Sequence, residues 1–293
     1  MTARFKFVNE VQRANSLVYN GLLSLLASRM VSYRDQEFRS PHYLCIMDAN
    51  PLDVGSSEMP QAFRDRIDFS YDLPLISAAG TRRLCDLLGA DGALAGGDLA
   101  DLARPALTAD EMEAVWADVA RVTVAGEVTA LATLVAGYLQ RCRYVDRARL
   151  TTDFELPCRD CTYRGETCAK LAAIPGTRFT LSMLRLAQAR AWLRGVWTIE
   201  VEDLLYGVPY TLTHRLQVRT ESLRLYPNMT QWFRQELWEH GIRVKVPRWR
   251  QLVCALEAED GPDDDLLQEF AARDLSASAL VASTTGRAYG EVV

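Results

Sequence analysis

A continuous apolar run, Tyr-Leu-Cys-Ile-Met at residues 43–47, most constrains how this chain can fold. The run lies between His42 and Asp48, and such a short, uninterrupted apolar segment is typical of a buried strand in a parallel sheet. An earlier segment, 4–8, has large apolar side chains at alternate positions and also predicts a strand. Between the two, residues 16–28 have the apolar spacing of a helix. This order of strand, helix and strand indicates an α/β fold.

A short helix at 60–65 and a strand at 67–71 continue this order, and the character of the chain changes after Pro74. Thr108 and Glu111 match a capping box, which predicts that a helix begins there. Further helices are predicted at 126–141, 180–194 and 202–214. The predicted fold class is therefore α/β followed by all-α.

The composition argues against several classes of protein. A net charge of −5 provides no basic field, so nucleic acid is not the expected partner. No apolar run reaches the roughly 20 residues that a membrane span requires, and no signal-peptide core follows Met1. Seven cysteines without such a signal favour free or metal-bound thiols over a disulfide framework. We therefore expect a cytoplasmic protein without a membrane span.

Two polar residues, Asn9 and Glu10, end the first predicted strand. A buried strand that ends in two polar residues, the last of them a carboxylate, has the Walker B arrangement of nucleotide hydrolases. In that arrangement the first acidic group helps to hold magnesium and the second polarises the attacking water. Alone, the pattern is weak, because many strands end in Asn-Glu.

Two later segments follow in order: Met47-Asp-Ala-Asn-Pro51 and Met59-Pro-Gln-Ala-Phe-Arg-Asp-Arg66. This order resembles the MoxR branch of the AAA+ ATPases. There, Walker B leads to a helix and a hairpin, then to a T-Q-N-P sensor strand, then to L-P-E-A-x-x-D-R-F. The resemblance implies that Glu10 is the catalytic carboxylate, Asn50 the first sensor and Arg66 an arginine finger for the neighbouring subunit. The alternative is that Asn50 only turns the chain and Arg66 pairs with a surface carboxylate.

A second resemblance begins at Gly176-Thr-Arg-Phe-Thr-Leu and continues to Gly195. It is similar to the G-A-S-P-R-A helix of the same family, and it implies that Arg178 is the second sensor, in contact with the γ-phosphate. The segments 199–204 and 214–216 match V-T-P-E-D-V and L-x-H-R, which belong to the family's helical lid. The resemblance thus implies a partial P-loop AAA+ core sheet with a helical AAA lid, using ATP and Mg²⁺. The alternative for Arg178 is an ordinary arginine at a helix start.

The chain departs from the family in two ways. No G-x-x-x-x-G-K-[ST] segment occurs in the sequence, so the Walker A loop that cradles the phosphates is not present in it. Asn9 stands where the family has an aspartate, and an amide cannot supply the charge that favours magnesium. Either the chain is an N-terminally incomplete product that begins at Walker B, or it is a degenerate or split version of the ATPase. In both cases we expect this chain alone to be inactive.

Four cysteines, Cys142, Cys158, Cys161 and Cys168, lie close together in the sequence. The pair at 158 and 161 has the two-residue gap that lets two thiolates bind one ion. We expect the four to hold a metal, with Zn²⁺ favoured over an iron–sulfur cluster. The alternative is a set of reduced thiols or a redox pair.

The resemblance further implies a homo-oligomer, a hexameric ring, that remodels or matures partner proteins, including a von Willebrand A-domain partner. The rival hypothesis is a catalytically inactive adaptor or scaffold, and a weaker one is a metal-dependent nucleic-acid factor. The predicted domains are the α/β core at 1–75, the lid at 76–216 with a cysteine-containing insertion at 142–177, and a C-terminal extension at 217–256. A disordered acidic tail follows at 257–293, with one helix expected at 266–272.

Overall fold

The computed structural model describes residues 4–33, 36–41, 44–50, 59–73, 76–91, 107–140, 167–258, 264–274, 277 and 280–281. An α/β part comes first and a larger helical part follows it, which is the predicted order. Among the described helices, none has both the length and the apolar character needed to cross a membrane.

The α/β part contains short strands and the helices that connect them. In chain order these are β1 (Phe5–Val8), α1 (Ser16–Ser28), β2 (Met30–Tyr33), β3 (Gln36–Arg39), β4 (Leu44–Met47) and α2 (Gln61–Arg64). Strands β1 and β4 pair in parallel, whereas β2 and β3 form an antiparallel hairpin. A hairpin between the first helix and the sensor strand is the arrangement that the MoxR resemblance implies.

Strand β4 is more exposed than its apolar sequence predicts. Leu44 and Ile46 are 41% and 52% exposed, and their partners Phe5 and Phe7 on β1 are exposed on the same face. In the described part of the chain this sheet has two strands, so little structure covers that face. The expected parallel pairing is therefore present, but the expected burial is not.

A small apolar core holds α2 against the turn that follows β1. Val11, Tyr19 and Phe63 are its buried members. The rings of Tyr19 and Phe63 meet edge to face with their centroids 4.9 Å apart, and the Tyr19 hydroxyl donates to the Val11 carbonyl at 2.9 Å. These contacts fix the position of the residues after α2 relative to the carboxyl end of β1.

The helical part is longer and contains a second, larger core. Its elements are α3 (Ala78–Asp91), α4 (Ala109–Arg121), α5 (Gly126–Gln140), β5 (Leu171–Ala173), α6 (Arg178–Leu193), α7 (Val201–Leu212), β6 (Gln217–Val218), α8 (Thr220–Leu223), α9 (Met229–Trp232), a π-helix (Phe233–Ile242), α10 (Arg243–Glu257) and α11 (Asp264–Arg273). Helix α4 begins at the predicted capping box. The Thr108 N–H donates to the Glu111 carboxylate at 2.6 Å, and the Glu111 N–H donates to the Thr108 hydroxyl at 3.3 Å.

The large core runs from Val122 to Val281 without a break between lid and C-terminal extension. Trp232 and Trp249, both in the predicted extension, are fully buried together with the apolar faces of α5, α6 and α7. The predicted lid and the predicted extension therefore share one core.

The sequence predicts a disordered acidic tail at 257–293 that contains one helix at 266–272, and the structure has a helix at that place. Helix α11 begins at Asp264, directly after the acidic run, and its Leu267 and Phe270 are buried in the large core. The Asp274 carboxylate is also buried and accepts a hydrogen bond from the Trp249 indole N–H at 2.9 Å. Leu267 and Phe270 are three residues apart and so lie on one face of the helix, which explains this packing.

The predicted strand at 67–71 is not a strand in the structure. This segment is extended and runs along the helical part, where the Ser70 N–H donates to the Tyr210 carbonyl at 2.7 Å. The Tyr71 ring stacks on the Tyr210 ring with centroids 6.1 Å apart. The backbone of this segment is hydrogen-bonded to the end of a helix and not to another strand. Alternating apolar spacing in the sequence cannot distinguish these two arrangements.

Candidate functional site

The carboxyl ends of β1 and β4 bring most of the predicted polar residues to one edge. The two strands are in parallel register with Val8 opposite Met47, so the residues that follow them leave the sheet side by side. Asn9 and Glu10 follow β1, and Asp48 follows β4. The side chains of all three are exposed at this edge.

Glu10 is held at this edge by its own backbone and by a nearby cation. Its backbone N–H donates to the Asp48 carboxylate, and its carboxylate forms an ion pair with Arg13 at 3.3 Å. Asn50 lies two residues beyond Asp48 on the same exposed stretch. The structure therefore brings Asn9 and Glu10 to Asp48, and Asn50 follows within the same segment.

Arg66 follows α2, and its side chain is half-buried. Its guanidinium donates to the Ala62 carbonyl at 2.7 Å, four residues back along the chain. Phe63 anchors this turn because its side chain is completely buried in the small core. Within one chain, Arg66 is thus fixed near the α/β part by its own turn.

Arg178 is the first residue of α6, and its side chain is exposed. Two residues earlier, the Gly176 N–H donates to the Asp65 carboxylate at 3.3 Å. A Cβ at position 176 would lie 2.9 Å from an Asp65 carboxylate oxygen, so a side chain there would displace that carboxylate. The contact joins the residue before Arg66 to the loop before Arg178.

Arg215 occupies the centre of the junction between the α/β part and the helical part, and the sequence assigned it no role. Its side chain is fully buried, and it donates to the Thr211 and Ile67 carbonyls at 2.6 Å each and to the Ser182 hydroxyl at 2.9 Å. Ser182 in turn donates to Asp68 at 2.8 Å. Burial lowers the pKa of Arg215, while the nearby Asp68 and Asp65 carboxylates oppose that shift. The only signal in the sequence was its position in the lid segment 214–216.

His214 also belongs to the junction, where it has a structural role. Its Nε2 faces the Ile67 carbonyl at 2.9 Å and its Nδ1 faces the Ser70 hydroxyl at 2.9 Å. Because a carbonyl only accepts, Nε2 carries the proton and Nδ1 accepts from Ser70. Burial lowers the pKa of His214 to about 4. A neutral imidazole therefore connects the extended segment to the end of the lid.

Most of the predicted metal site lies outside the described residues. Cys142, Cys158 and Cys161 are outside them, and Cys168 is described only as part of the backbone of a 3₁₀ helix, Thr167–Lys170. In the part of the chain that the structure describes, no three His, Cys, Asp or Glu side chains are grouped to hold a metal ion. The zinc or iron–sulfur prediction therefore remains a prediction.

Three further cysteines are described and carry free thiols. Cys45 is half-buried on β4, where burial raises its pKa, whereas Cys85 and Cys254 are exposed. Apolar neighbours in the sequence suggest core positions for all three, but Cys85 and Cys254 are exposed on α3 and α10.

No protein-family model matches the sequence, and no curated protein matches it. The fold is similar to that of a solved structure described as a "putative ATPase" from Cytophaga hutchinsonii ATCC 33406, with a TM-score of 0.56 and 15% sequence identity. The likeness covers 79% of this chain, which spans 65% of that protein's chain. At this identity the likeness concerns the fold alone.

Proposed function

We propose that this chain is part of a MoxR-like AAA+ ATPase, and that the full protein binds and hydrolyses ATP. One observation carries the proposal: β1 and β4 pair in parallel and bring Asn9, Glu10 and Asp48 to one edge. The helical part that follows, with Arg178 at the start of α6, would be the lid of that ATPase. The fold likeness to a protein described as an ATPase supports the same class.

Four residues would have separate roles in ATP hydrolysis. Glu10 would orient and polarise the water that attacks the γ-phosphate, and Asn50 would hydrogen-bond that water or the phosphate itself. Arg178 would contact the γ-phosphate of its own subunit and couple hydrolysis to movement of the lid. Arg66 would stabilise the transition-state charge in the site of the neighbouring subunit.

The polar groups at this edge fit a magnesium ion. Mg²⁺ is typically bound by one or two carboxylates together with waters and substrate phosphates. The edge offers the carboxylates of Glu10 and Asp48 and the amide of Asn9, all on exposed residues. When bound with ATP, the ion neutralises charge on the phosphates.

The proposed assembly is a homo-oligomeric ring, a hexamer, in which each site is shared between neighbours. The ring would couple hydrolysis to the remodelling or maturation of partner proteins, including one with a von Willebrand A domain. A cycle of lid movement would pass through the junction at Asp65 and Gly176, because that contact joins the segments that carry Arg66 and Arg178.

The test is ATP turnover with Mg²⁺, measured on the 293-residue chain and on the product of any longer reading frame that encloses it. We expect turnover only where a phosphate loop is present. Glu10→Gln should abolish that turnover but leave nucleotide binding intact, because the carboxylate acts on water and not on ATP. Glu37→Gln, at an exposed glutamate on the hairpin, is the matched control and should turn over normally. Hydrolysis that survives Glu10→Gln would overturn the proposal.

A second candidate is a catalytically inactive adaptor or scaffold with the same fold. Asn9 is the observation that favours it, because an amide at this position removes one carboxylate from the expected magnesium site. The two candidate functions differ in whether bound ATP is hydrolysed. If the product that contains a phosphate loop binds nucleotide but never turns it over, the adaptor hypothesis is correct.

A further inference from the structure

Asp48 supports the turn after β1 through both its backbone and its side chain. Its backbone N–H donates to the Val8 carbonyl at 3.1 Å, and its carbonyl accepts from the Val11 N–H at 3.0 Å. Its carboxylate accepts the backbone N–H of Glu10. One aspartate therefore contacts the residues on both sides of Asn9 and Glu10.

The conformation of Glu10 makes this support important. Its φ of 51° lies in the left-handed region, which is unfavourable for a residue with a side chain. The carboxylate of Asp48 satisfies the Glu10 N–H in that conformation. The direction of the Glu10 side chain thus depends on a residue from the neighbouring strand.

Asn9 and Asp48 form a complementary pair across the two strands. With its amide nitrogen facing Asp48, Asn9 donates to the two carboxylate oxygens at 2.6 and 3.1 Å. Two carboxylates at these distances would repel each other in the absence of a cation. The negative charge that residue 9 lacks is therefore present one strand away, at residue 48.

We propose that Asp48 positions Glu10 and supplies, from β4, the magnesium-side carboxylate that residue 9 does not provide. This inference rests on the proposed ATPase function, since it names a further residue of the same site. In this arrangement Asn9 orients the Asp48 carboxylate, and Asp48 contributes the charge. The edge thus carries two carboxylates, Glu10 after β1 and Asp48 after β4.

A set of charge-exchange variants tests the proposal in the product that turns over ATP. Asp48→Asn keeps an oxygen that can accept the Glu10 N–H but removes the charge. We expect it to raise the Mg²⁺ concentration for half-maximal turnover by about tenfold or more, as supporting residues of metal sites do. Asn9→Asp combined with Asp48→Asn returns the charge to residue 9 and should recover most of that loss. Asp86→Asn, at an exposed residue of α3, is the control and should behave as wild type.

A second readout does not depend on activity. Mn²⁺ binding, followed by electron paramagnetic resonance on the 293-residue chain, should weaken in Asp48→Asn and recover in the double variant. Unchanged Mn²⁺ binding and Mg²⁺ dependence in Asp48→Asn would overturn the inference. So would a double variant as impaired as the single one, because that result indicates a purely structural role. If wild type binds Mn²⁺ through Asp48 but no product hydrolyses ATP, the cation-binding role of Asp48 is supported and the proposed hydrolysis fails.

Discussion

The guanidinium of Arg215 donates to the backbone carbonyl of Ile67 at 2.6 Å, which joins two segments about 150 residues apart in the sequence. Arg215 ends the lid segment, whereas Ile67 directly follows the predicted arginine finger, Arg66. The same guanidinium reaches Ser182 on α6, so three segments meet on one buried side chain. A single buried cation therefore contacts both the α/β part and the helical part at the centre of their junction.

Replacing Arg215 with methionine should destabilise the protein by about 3 kcal/mol or more, because the variant leaves buried carbonyls and a hydroxyl without donors. Arg215→Lys should recover only part of this loss, since one ammonium cannot reach the same set of acceptors as a planar fork. Urea unfolding measures both free energies. Arg224→Met, at an exposed arginine near the same region, should cost less than about 0.5 kcal/mol. Equal losses in the two methionine variants would contradict the buried role of Arg215.

His214 predicts a pH dependence of stability. Its pKa is lowered from 6.5 to about 4, so the unfolded chain binds a proton in this window that the folded chain does not. The stabilisation is complete above pH 6.5 and is lost as the pH falls towards 4, by up to about 3 kcal/mol. The measurement is the free energy of unfolding of wild type minus that of His214→Gln across this range. The difference should shrink with falling pH, and His240→Gln, at an exposed histidine, should show no such trend.

Local signals in the sequence predicted local structure well. Thr108 and Glu111 are three residues apart, and their capping box is formed as expected. The order of the polar residues after two apolar runs predicted the parallel edge at Glu10, although the contribution of Asp48 was missed. That contribution could have been found, because Asp48 is the first residue after the second run.

Long-range contacts could not be predicted in the same way. The buried Arg215 donates to the carbonyls of residues 65 and 67. These residues are far from Arg215 in the sequence, so no local sequence pattern predicts the contact. Helix α11 was expected from the sequence, but the acidic run before it gave no sign that Leu267 and Phe270 are buried in the large core. Composition averages over a segment, whereas burial depends on a few side chains on one face.

Asp203 allows a test of the contacts that stabilise the helical part. Its carboxylate is completely buried, forms ion pairs with Arg190 and with Arg194, the latter at 2.8 Å, and accepts the Glu200 N–H at 3.0 Å. Asp203→Ala should cost about 1–3 kcal/mol, because it removes the buried carboxylate that caps α7 and that accepts from Arg190 and Arg194. Glu202→Ala, at the exposed neighbouring residue, should change stability by less than about 0.5 kcal/mol. Thermal and urea unfolding should rank the two variants alike.

The proposed ring predicts that Arg66 acts between subunits. In the product that hydrolyses ATP, Arg66→Ala should lower turnover by about a thousandfold or more while ATP binding persists. Mixing Arg66→Ala subunits with Glu10→Gln subunits should restore activity, up to about a quarter of wild type, because random assembly pairs intact residues at one interface in four.

Arg178 supplies the control for this mixing experiment. The proposal places Arg178 and Glu10 in the site of the same subunit, so Arg178→Ala mixed with Glu10→Gln should remain inactive. Recovery in both mixtures would contradict the assignment of Arg178, and recovery in neither would contradict that of Arg66.

The predicted metal site at Cys142, Cys158, Cys161 and Cys168 can be tested by metal analysis of the purified chain. We expect about one zinc ion per chain, since four thiolates complete a structural zinc site. Changing Cys158 and Cys161 together to serine should remove the metal, because a two-residue gap lets this pair bind the same ion.

The exposed Cys254 offers a matched thiol outside the cluster, and Cys254→Ser should leave the metal content unchanged. An iron–sulfur cluster would instead produce visible absorption and equal amounts of iron and sulfide. A chain without metal, in which all four thiols react with a thiol reagent in the native state, would favour the alternative of reduced or redox-active cysteines. The thiolate requirement adds a pH criterion: metal bound by these residues should be released as the solution is acidified, because protons compete for the sulfur ligands.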